Sequence, residues 1–237
     1  MTIGSPIIDF HSHILSGVDH GCRCTGESIK QLALMRSCGT DTVVATPHFY
    51  PHTSTVDTFL KKADRAIDSL MQSQILSAPK LCVGAEVLLC DNLCSMPKLD
   101  RLCIRGTRVL LVELPTQQLN EYHYDTVEEL IAMGYTVLLA HIDRYIRQYS
   151  HCIEKLLDLG AIAQINVESL KHFGVRKRIL GAPRIADSIH AIGSDLHGVD
   201  IKLYKNFATA DKYLRDRTSQ IMSRSAALLE TAEIIHL

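Results

Sequence analysis

The sequence predicts an α/β fold in which short parallel strands alternate with helices, closed as a barrel over a single domain spanning residues 1–237. Three observations carry that reading. Seven short apolar runs recur along the chain, helix-like stretches separate them, and nearly every run delivers a His, Asp or Glu just past its carboxyl end. An open doubly wound sheet would fit the alternation equally well. However, no glycine-rich phosphate loop follows the first strand, which weakens the dinucleotide-binding version.

The predicted strands are Pro6–Phe10, Thr42–Ala45, Leu81–Ala85, Arg108–Val112, Thr136–Ala140, Ala161–Ile165 and His190–Ile192. Each is short and mostly rich in Val, Ile or Leu, as strands covered on both faces are. Helices are expected over Glu27–Ser37, Val56–Met71, Tyr124–Met133, Ile146–Leu159 and Lys202–Arg215. Phe59, Leu60, Ala63, Ile67 and Leu70 illustrate the spacing that places apolar residues on one helical face. Gly39, Gly134 and Gly160 stand where helices stop, and Ser219–Leu237 reads as a final helix.

Composition narrows the function classes. The 237 residues carry a net charge of −1 with His neutral, so no overall basic field draws nucleic acid or an anionic membrane. No run reaches the ~18 apolar residues of a membrane span. The opening MTIGSPIIDFHSH lacks the basic-then-apolar order of a secretory signal, and the eight cysteines are irregularly spaced. A cytoplasmic protein with reduced thiols is expected. Cys22 with Cys24, and Cys90 with Cys94, have no partner pair at zinc-ribbon spacing.

The chemistry sits at the strand ends. Strand one runs into Asp9, His11 and His13, strand two into His48, strand three into Glu86 and strand four into Glu113. Strand five leads to His141, Asp143 and Arg144, strand six to Asn166, and strand seven to Asp195 and His197. In a barrel those ends meet at one mouth, where active sites lie. Residues two apart on a strand point the same way, so His11 with His13, and Asp195 with His197, can each grip one ion. Mixed imidazole and carboxylate donors suit Zn, Mn or Fe, and there are more donors than one ion can use. Two or three divalent ions are expected, with a carboxylate such as Glu86 between them. Two ions ~3.5–4 Å apart bring a bridging water near neutral pKa and clamp the oxygens of an in-line displacement. A phosphate monoester offers oxygens for such a clamp, and Arg144 is the candidate for bidentate phosphate contact. A surface ion pair of Arg144 with Asp143 or Glu154 is the other reading. No Cys is followed six residues later by Arg and no Gly-x-Ser-x-Gly elbow occurs, so a covalent enzyme intermediate has no support.

In order, the segments DFHSHILSGVDHG, VVATPHFY, GAEV, VELP, LLAHIDRY, AQINVESL and GSDLHG resemble the polymerase-and-histidinol-phosphatase (PHP) superfamily. Within it they resemble the bacterial metal-dependent protein-tyrosine phosphatases of capsule and exopolysaccharide loci. The resemblance implies a distorted (β/α)7 TIM-like barrel with three metals. By position it implies His11, His13, Glu86 and Asp195 on one ion, Glu86, Glu113 and His141 on a second, and His48 and His197 on a third. Arg144 matches a phosphate-contacting arginine. The implied substrate is phosphotyrosine, often on the tail of a tyrosine autokinase, with manganese, iron, magnesium or zinc as metal.

The chain departs from the family pattern at four places. Asp19-His20-Gly21 stands for Asp-Asp-Gly, so His20 would replace a carboxylate ligand of the third metal. His141-Ile142-Asp143-Arg144-Tyr145 loses the proline of the usual HPERY. Lys202 stands near the place of a second arginine and offers a point charge without a fork. Gly26-Glu27-Ser28 replaces a Glu-Glu-Ser motif tied to ring-like oligomers, leaving the oligomeric state open. Competing readings are a phosphatase of a small metabolite such as histidinol phosphate, an amidohydrolase, and a degenerate, non-catalytic metal-binding member. Glu86 and Glu113, where an amidohydrolase would carry a modified lysine, argue against the second.

Overall fold

The structure, a computed structural model, describes residues 6–73, 75 and 77–237. Among the described residues nine strand segments run in chain order: β1 (Ile8–Ser12), β2 (Thr42–Ala45), β3 (His48–Phe49), β4 (Lys80–Val83), β5 (Glu86–Leu88), β6 (Val109–Glu113), β7 (Thr136–Leu139), β8 (Ile162–Asn166) and β9 (Ile189–Gly193). The helices are α1 (Thr25–Ser37), α2 (Val56–Gln72), α3 (Glu121–Ala132), α4 (Ser150–Asp158), α5 (Phe173–Gly181), α6 (Pro183–Ser188), α7 (Ile201–Phe207), α8 (Asp211–Leu214) and α9 (Arg217–Leu228).

All strand pairs are parallel, in the orders β1-β2-β4 and β3-β5-β6-β7-β8-β9. The two sheets are continuous in register. Ala45 faces Val83 before the break and His48 faces Glu86 after it, at the same offset. Gly84 N–H to Ala45 O (2.9 Å) and Glu86 N–H to Pro47 O (3.0 Å) carry the pairing across. Pro47, which lacks a donor, stands where the ladder lapses. The nine segments therefore form seven staves. The ring closes because Asp195 N–H donates to His11 O (2.8 Å) and His13 N–H to Leu196 O (3.1 Å). The predicted (β/α)7 barrel is the observed fold.

Val43, Val44, Leu110, Leu111, Leu138 and Leu139 lie in one continuous apolar core. At the carboxyl mouth the buried residues change character: Asp9, His11, His13, Glu86, His141 and Gln164 are all 0% exposed. Six polar side chains do not enter a core unpaired, so this layer needs partners.

Three expectations need correction. The last helix stops at Leu228 rather than reaching Leu237, and Ile235 forms an antiparallel bridge with Leu81. Helical periodicity in the tail gave way to backbone pairing at the foot of β4. The stretch Ile146–Leu159 is helical only from Ser150, because a 3-10 turn, Ile142–Arg144, first carries the chain away from the mouth. Lys202–Arg215 splits into α7 and α8.

Candidate metal centre

His11 lies on β1 and His13 one residue beyond it, His48 opens β3, Glu86 opens β5, and Glu113 ends β6. His141 follows β7 by two residues, and Asp195 and His197 follow β9. The fold draws these eight residues into four overlapping groups: His11–His13–Asp195, His11–Glu86–His141, His48–Glu86–Glu113 and His13–His48–His197. Within each group one donor atom per residue lies within 4.8 Å of the others. Of the nine metal residues expected from sequence, only His20 stands outside all four.

Glu86 is the hub. Its Oε1 lies 2.7 Å from His141 Nε2, and its Oε2 lies 2.9 Å from His48 Nδ1, 3.1 Å from His11 Nε2 and 3.5 Å from His13 Nε2. Asp195 Oδ1 lies 3.2 Å from His13 Nε2. Yet Glu86 Oε2 and His48 Nδ1 are buried without a hydrogen bond, because their close approach has the wrong direction for one. His11 Nε2 and His13 Nε2 also face each other at 3.1 Å. Imidazole nitrogens and carboxylate oxygens packed this closely, two of them without a hydrogen bond, fit shared cations better than they fit each other. The backbone agrees: His141 (φ 30°) and Asp195 (φ 54°) both adopt left-handed conformations that non-glycine residues rarely hold.

Residues behind the cluster orient it. Gln164 on β8 accepts at Oε1 from His141 N–H (2.6 Å) and pairs with His11 Nδ1 at 3.2 Å. A proton on Nδ1 satisfies that contact and leaves the His11 Nε2 lone pair facing the cluster. Gln164 Nε2 donates to Asn166 Oδ1 (2.9 Å), and Asn166 Nδ2 donates to Asp195 Oδ2 (3.0 Å). One amide pair thus ties together candidate ligands from three staves. Asp19 does the same for His13, with Oδ2 at 2.7 Å from Nδ1, and accepts from the backbone N–H of His48 (2.8 Å) and of Gly21 (2.8 Å). Asp143 accepts from Asn166 N–H (2.8 Å) and from the Ser169 hydroxyl. Gln164 is a site residue that the strand-end pattern does not mark. Its signal was a lone amide inside the apolar strand AIAQIN. Gln164→Leu is expected to weaken metal binding by about 10- to 100-fold while the fold persists. Calorimetric titration of metal-stripped protein checks this.

Burial opposes charge on His13, but the carboxylates of Asp19 and Asp195 override it and push its pKa up to about 10. Burial likewise opposes charge on Glu86, and His11, His141 and His48 hold its carboxyl well below the usual range. Burial, then the His13 cation, pushes His197 down to about 4. In the metal-free protein His13 therefore carries a proton up to about pH 10 that a cation must displace. Apparent metal affinity should fall as pH is lowered, by about tenfold per unit for each proton released. Calorimetry in buffers of different ionisation enthalpy should register that release, and pH-independent affinity would refute it.

Arg144 does not pair with Asp143 or Glu154. Its guanidinium reaches back into the mouth, making a close ion pair with Asp195 and approaching His141 Nε2 at 3.3 Å. Its side chain stays 48% exposed, so the cation faces both the cluster and solvent.

Residues 7–235 match the family described as capsular polysaccharide synthesis, CpsB/CapC. CapC of Staphylococcus aureus is 30% identical over 200 residues, covering 81% of this chain and 78% of that protein. The chain belongs to the CpsB/CapC family. The tyrosine-protein phosphatase YwqE of Bacillus subtilis is 27% identical over 240 residues, covering 94% and 93% of the two chains. A crystal structure from work on Bacillus subtilis YwqE and Streptococcus pneumoniae CpsB, described there as unique metal-dependent tyrosine phosphatases, superposes with a TM-score of 0.74. It covers 98% of this chain and 97% of its own at 24% identity, and so supports the fold.

Two further expected residues of this CpsB/CapC chain, His20 and Lys202, belong to none of the four groups. His20 is exposed, its ring stacked 4.6 Å from His197 and 4.8 Å from His48. Lys202 is exposed on the first turn of α7, five residues beyond His197. Of the aromatic residues near the mouth, Phe49 is core packing and Tyr145 is tied to Leu114 O at 2.6 Å. Tyr50 stacks on His48 at 5.1 Å. All eight cysteines are free thiols, and none joins a metal-spaced group among the described residues. Among the described residues no helix is long and apolar enough to cross a membrane.

Proposed function

We propose that this chain is a metal-dependent protein-tyrosine phosphatase. The observation that carries the reading is the buried Glu86 carboxylate, ringed by His11, His13, His48 and His141 with one oxygen lacking any hydrogen bond. His11, His13, Glu86 and Asp195 would hold one divalent ion, and Glu86, Glu113 and His141 a second. His48 and His197, with His20 within reach, would hold a third. Manganese, iron, zinc or magnesium suits these donors. Bound cations supply Lewis acidity, easing deprotonation of water and offsetting the charge of a phosphate monoester.

The chain's own residues do the rest. Asp19 and Gln164 fix the His13 and His11 rings so that each presents Nε2 to the cluster. Arg144 exchanges its contact with Asp195 for two phosphate oxygens and orients the ester. Lys202 adds a point charge near the phosphate. Tyr50, held against His48, offers a face for the substrate's phenyl ring.

The partner would be a tyrosine-phosphorylated protein, and the family's place in capsule synthesis favours the tail of a tyrosine autokinase. Eight free thiols and a net charge of −1 suit a cytoplasmic enzyme. Elemental analysis of purified protein, paired with turnover of a phosphotyrosine peptide, histidinol phosphate and para-nitrophenyl phosphate, tests this. At least two bound divalent ions per chain and preference for the phosphotyrosine peptide are expected. Metal-loaded protein that hydrolyses none of the three esters would sink the reading.

A further inference from the structure

A cleft of about 780 Å³ opens between α5 and the turn from α8 into α9, sharing no lining residue with the His–carboxylate cluster. Five cations line it, Arg176, Lys177, Lys212, Arg215 and Arg217, against one acid, Asp216. In a chain of net charge −1 this is a local concentration of positive charge. Arg217 is neutralised by Asp187 at 2.9 Å. Among the described residues, Lys177, Lys212 and Arg215 have no ion pair with a carboxylate.

The lining is not purely cationic. Phe173, 70% exposed, stands at its edge. The Arg176 guanidinium lies 5.7 Å from the ring centres of both Phe173 and Tyr213, and its Nη1 donates to Leu170 O at 2.9 Å. Arg215 holds φ 52° and ψ −128°, a strained backbone that glycine would adopt freely.

We propose that this cleft docks an acidic, aromatic-containing peptide segment of the phosphoprotein substrate. The identity of that protein as a substrate rests on the phosphatase reading; the docking chemistry does not. Unpaired cations in a concave wall attract a run of carboxylates. Phe173 and Tyr213 give apolar side chains of the same segment a face to pack on, and Arg176 can stack with an aromatic one. A planar anionic membrane would meet the rim and leave the concave wall unused. Nucleic acid binding depends on a wider basic field than this chain presents.

The test uses the full chain, metal-loaded, and the variant Lys177→Glu/Lys212→Glu/Arg215→Glu, whose changes are all at exposed side chains. One arm measures fluorescence anisotropy of a labelled peptide carrying a tyrosine beside a run of glutamates. The other measures hydrolysis of the same peptide phosphorylated on tyrosine, and of para-nitrophenyl phosphate. Wild type should bind the acidic peptide better than a glutamine-substituted one, with affinity falling as salt rises. In the variant, affinity should fall about tenfold or more, KM for the phosphopeptide should rise by a similar factor, and para-nitrophenyl phosphate turnover should not change. Unchanged peptide affinity and KM in the variant would overturn the proposal. So would equal binding of acidic and glutamine peptides, or binding to phosphatidylserine vesicles in preference to the peptide. Should wild type hydrolyse none of phosphotyrosine peptide, histidinol phosphate and para-nitrophenyl phosphate, the phosphatase reading falls and the anisotropy arm alone still decides the cleft.

Discussion

Glu86→Gln should yield a folded protein that retains far less metal and turns over phosphotyrosine peptide at least about 10³-fold more slowly, roughly 4 kcal/mol of lost transition-state stabilisation. The size of the effect follows from position. Both Glu86 oxygens lie within 2.7–3.5 Å of imidazole nitrogens drawn from three other staves. An amide keeps the shape but loses the negative charge, and its NH₂ would aim a donor at nitrogens that must keep their lone pairs. His141→Ala should act in the same direction by removing one donor. Elemental analysis read beside steady-state kinetics checks both. Full metal content with normal kcat in Glu86→Gln would falsify the hub role.

Arg144→Ala should behave differently. Its guanidinium contacts Asp195 and His141 but offers no metal-binding lone pair, so metal content should stay normal. If Arg144 holds the phosphate as proposed, turnover should fall by about 10²- to 10³-fold in kcat/KM, with both KM and kcat affected, because a charged fork would act on bound and transition states. Arg144→Lys should recover only part of that loss, since an ammonium cannot bind two oxygens in the same plane. The pair of variants separates metal holding from phosphate holding. If metal content fell equally in Arg144→Ala and His141→Ala, the two roles would have to be merged.

How much of this was legible in the sequence depends on which force fixes each element. Strands β6 to β9 were read to within about two residues because their residues are mostly buried and mostly apolar. The division of the second and third staves was not read. It depends on the ladder lapsing at Thr46–Pro47 and Gly84–Ala85, a feature of pairing between distant segments. The extent of the tail helix was overestimated for a related reason, since the bridge from Ile235 to Leu81 outweighs local periodicity. At the site, the groups donating to the cluster were visible because His and Glu at strand ends are conspicuous. Gln164 and Asp19 were passed over as site residues because their work lies in hydrogen bonds to His11, His141 and His13, which no spacing along the chain displays. Gly193 illustrates the same limit. A methyl group there would stand 2.5 Å from His11 Cβ and 2.7 Å from Gln164 Nε2, so its smallness serves the packing behind the site.

The ring is sealed by bonds between the first and last staves, Asp195 to His11 and Leu196 to His13. During vectorial synthesis the first-made histidines must therefore wait for a carboxylate encoded nearly two hundred codons downstream. A nascent chain stalled before Asp195 would present loose imidazoles with no enclosure. A cation site that needs Asp195 would thereby stay incomplete until the last stave has been made.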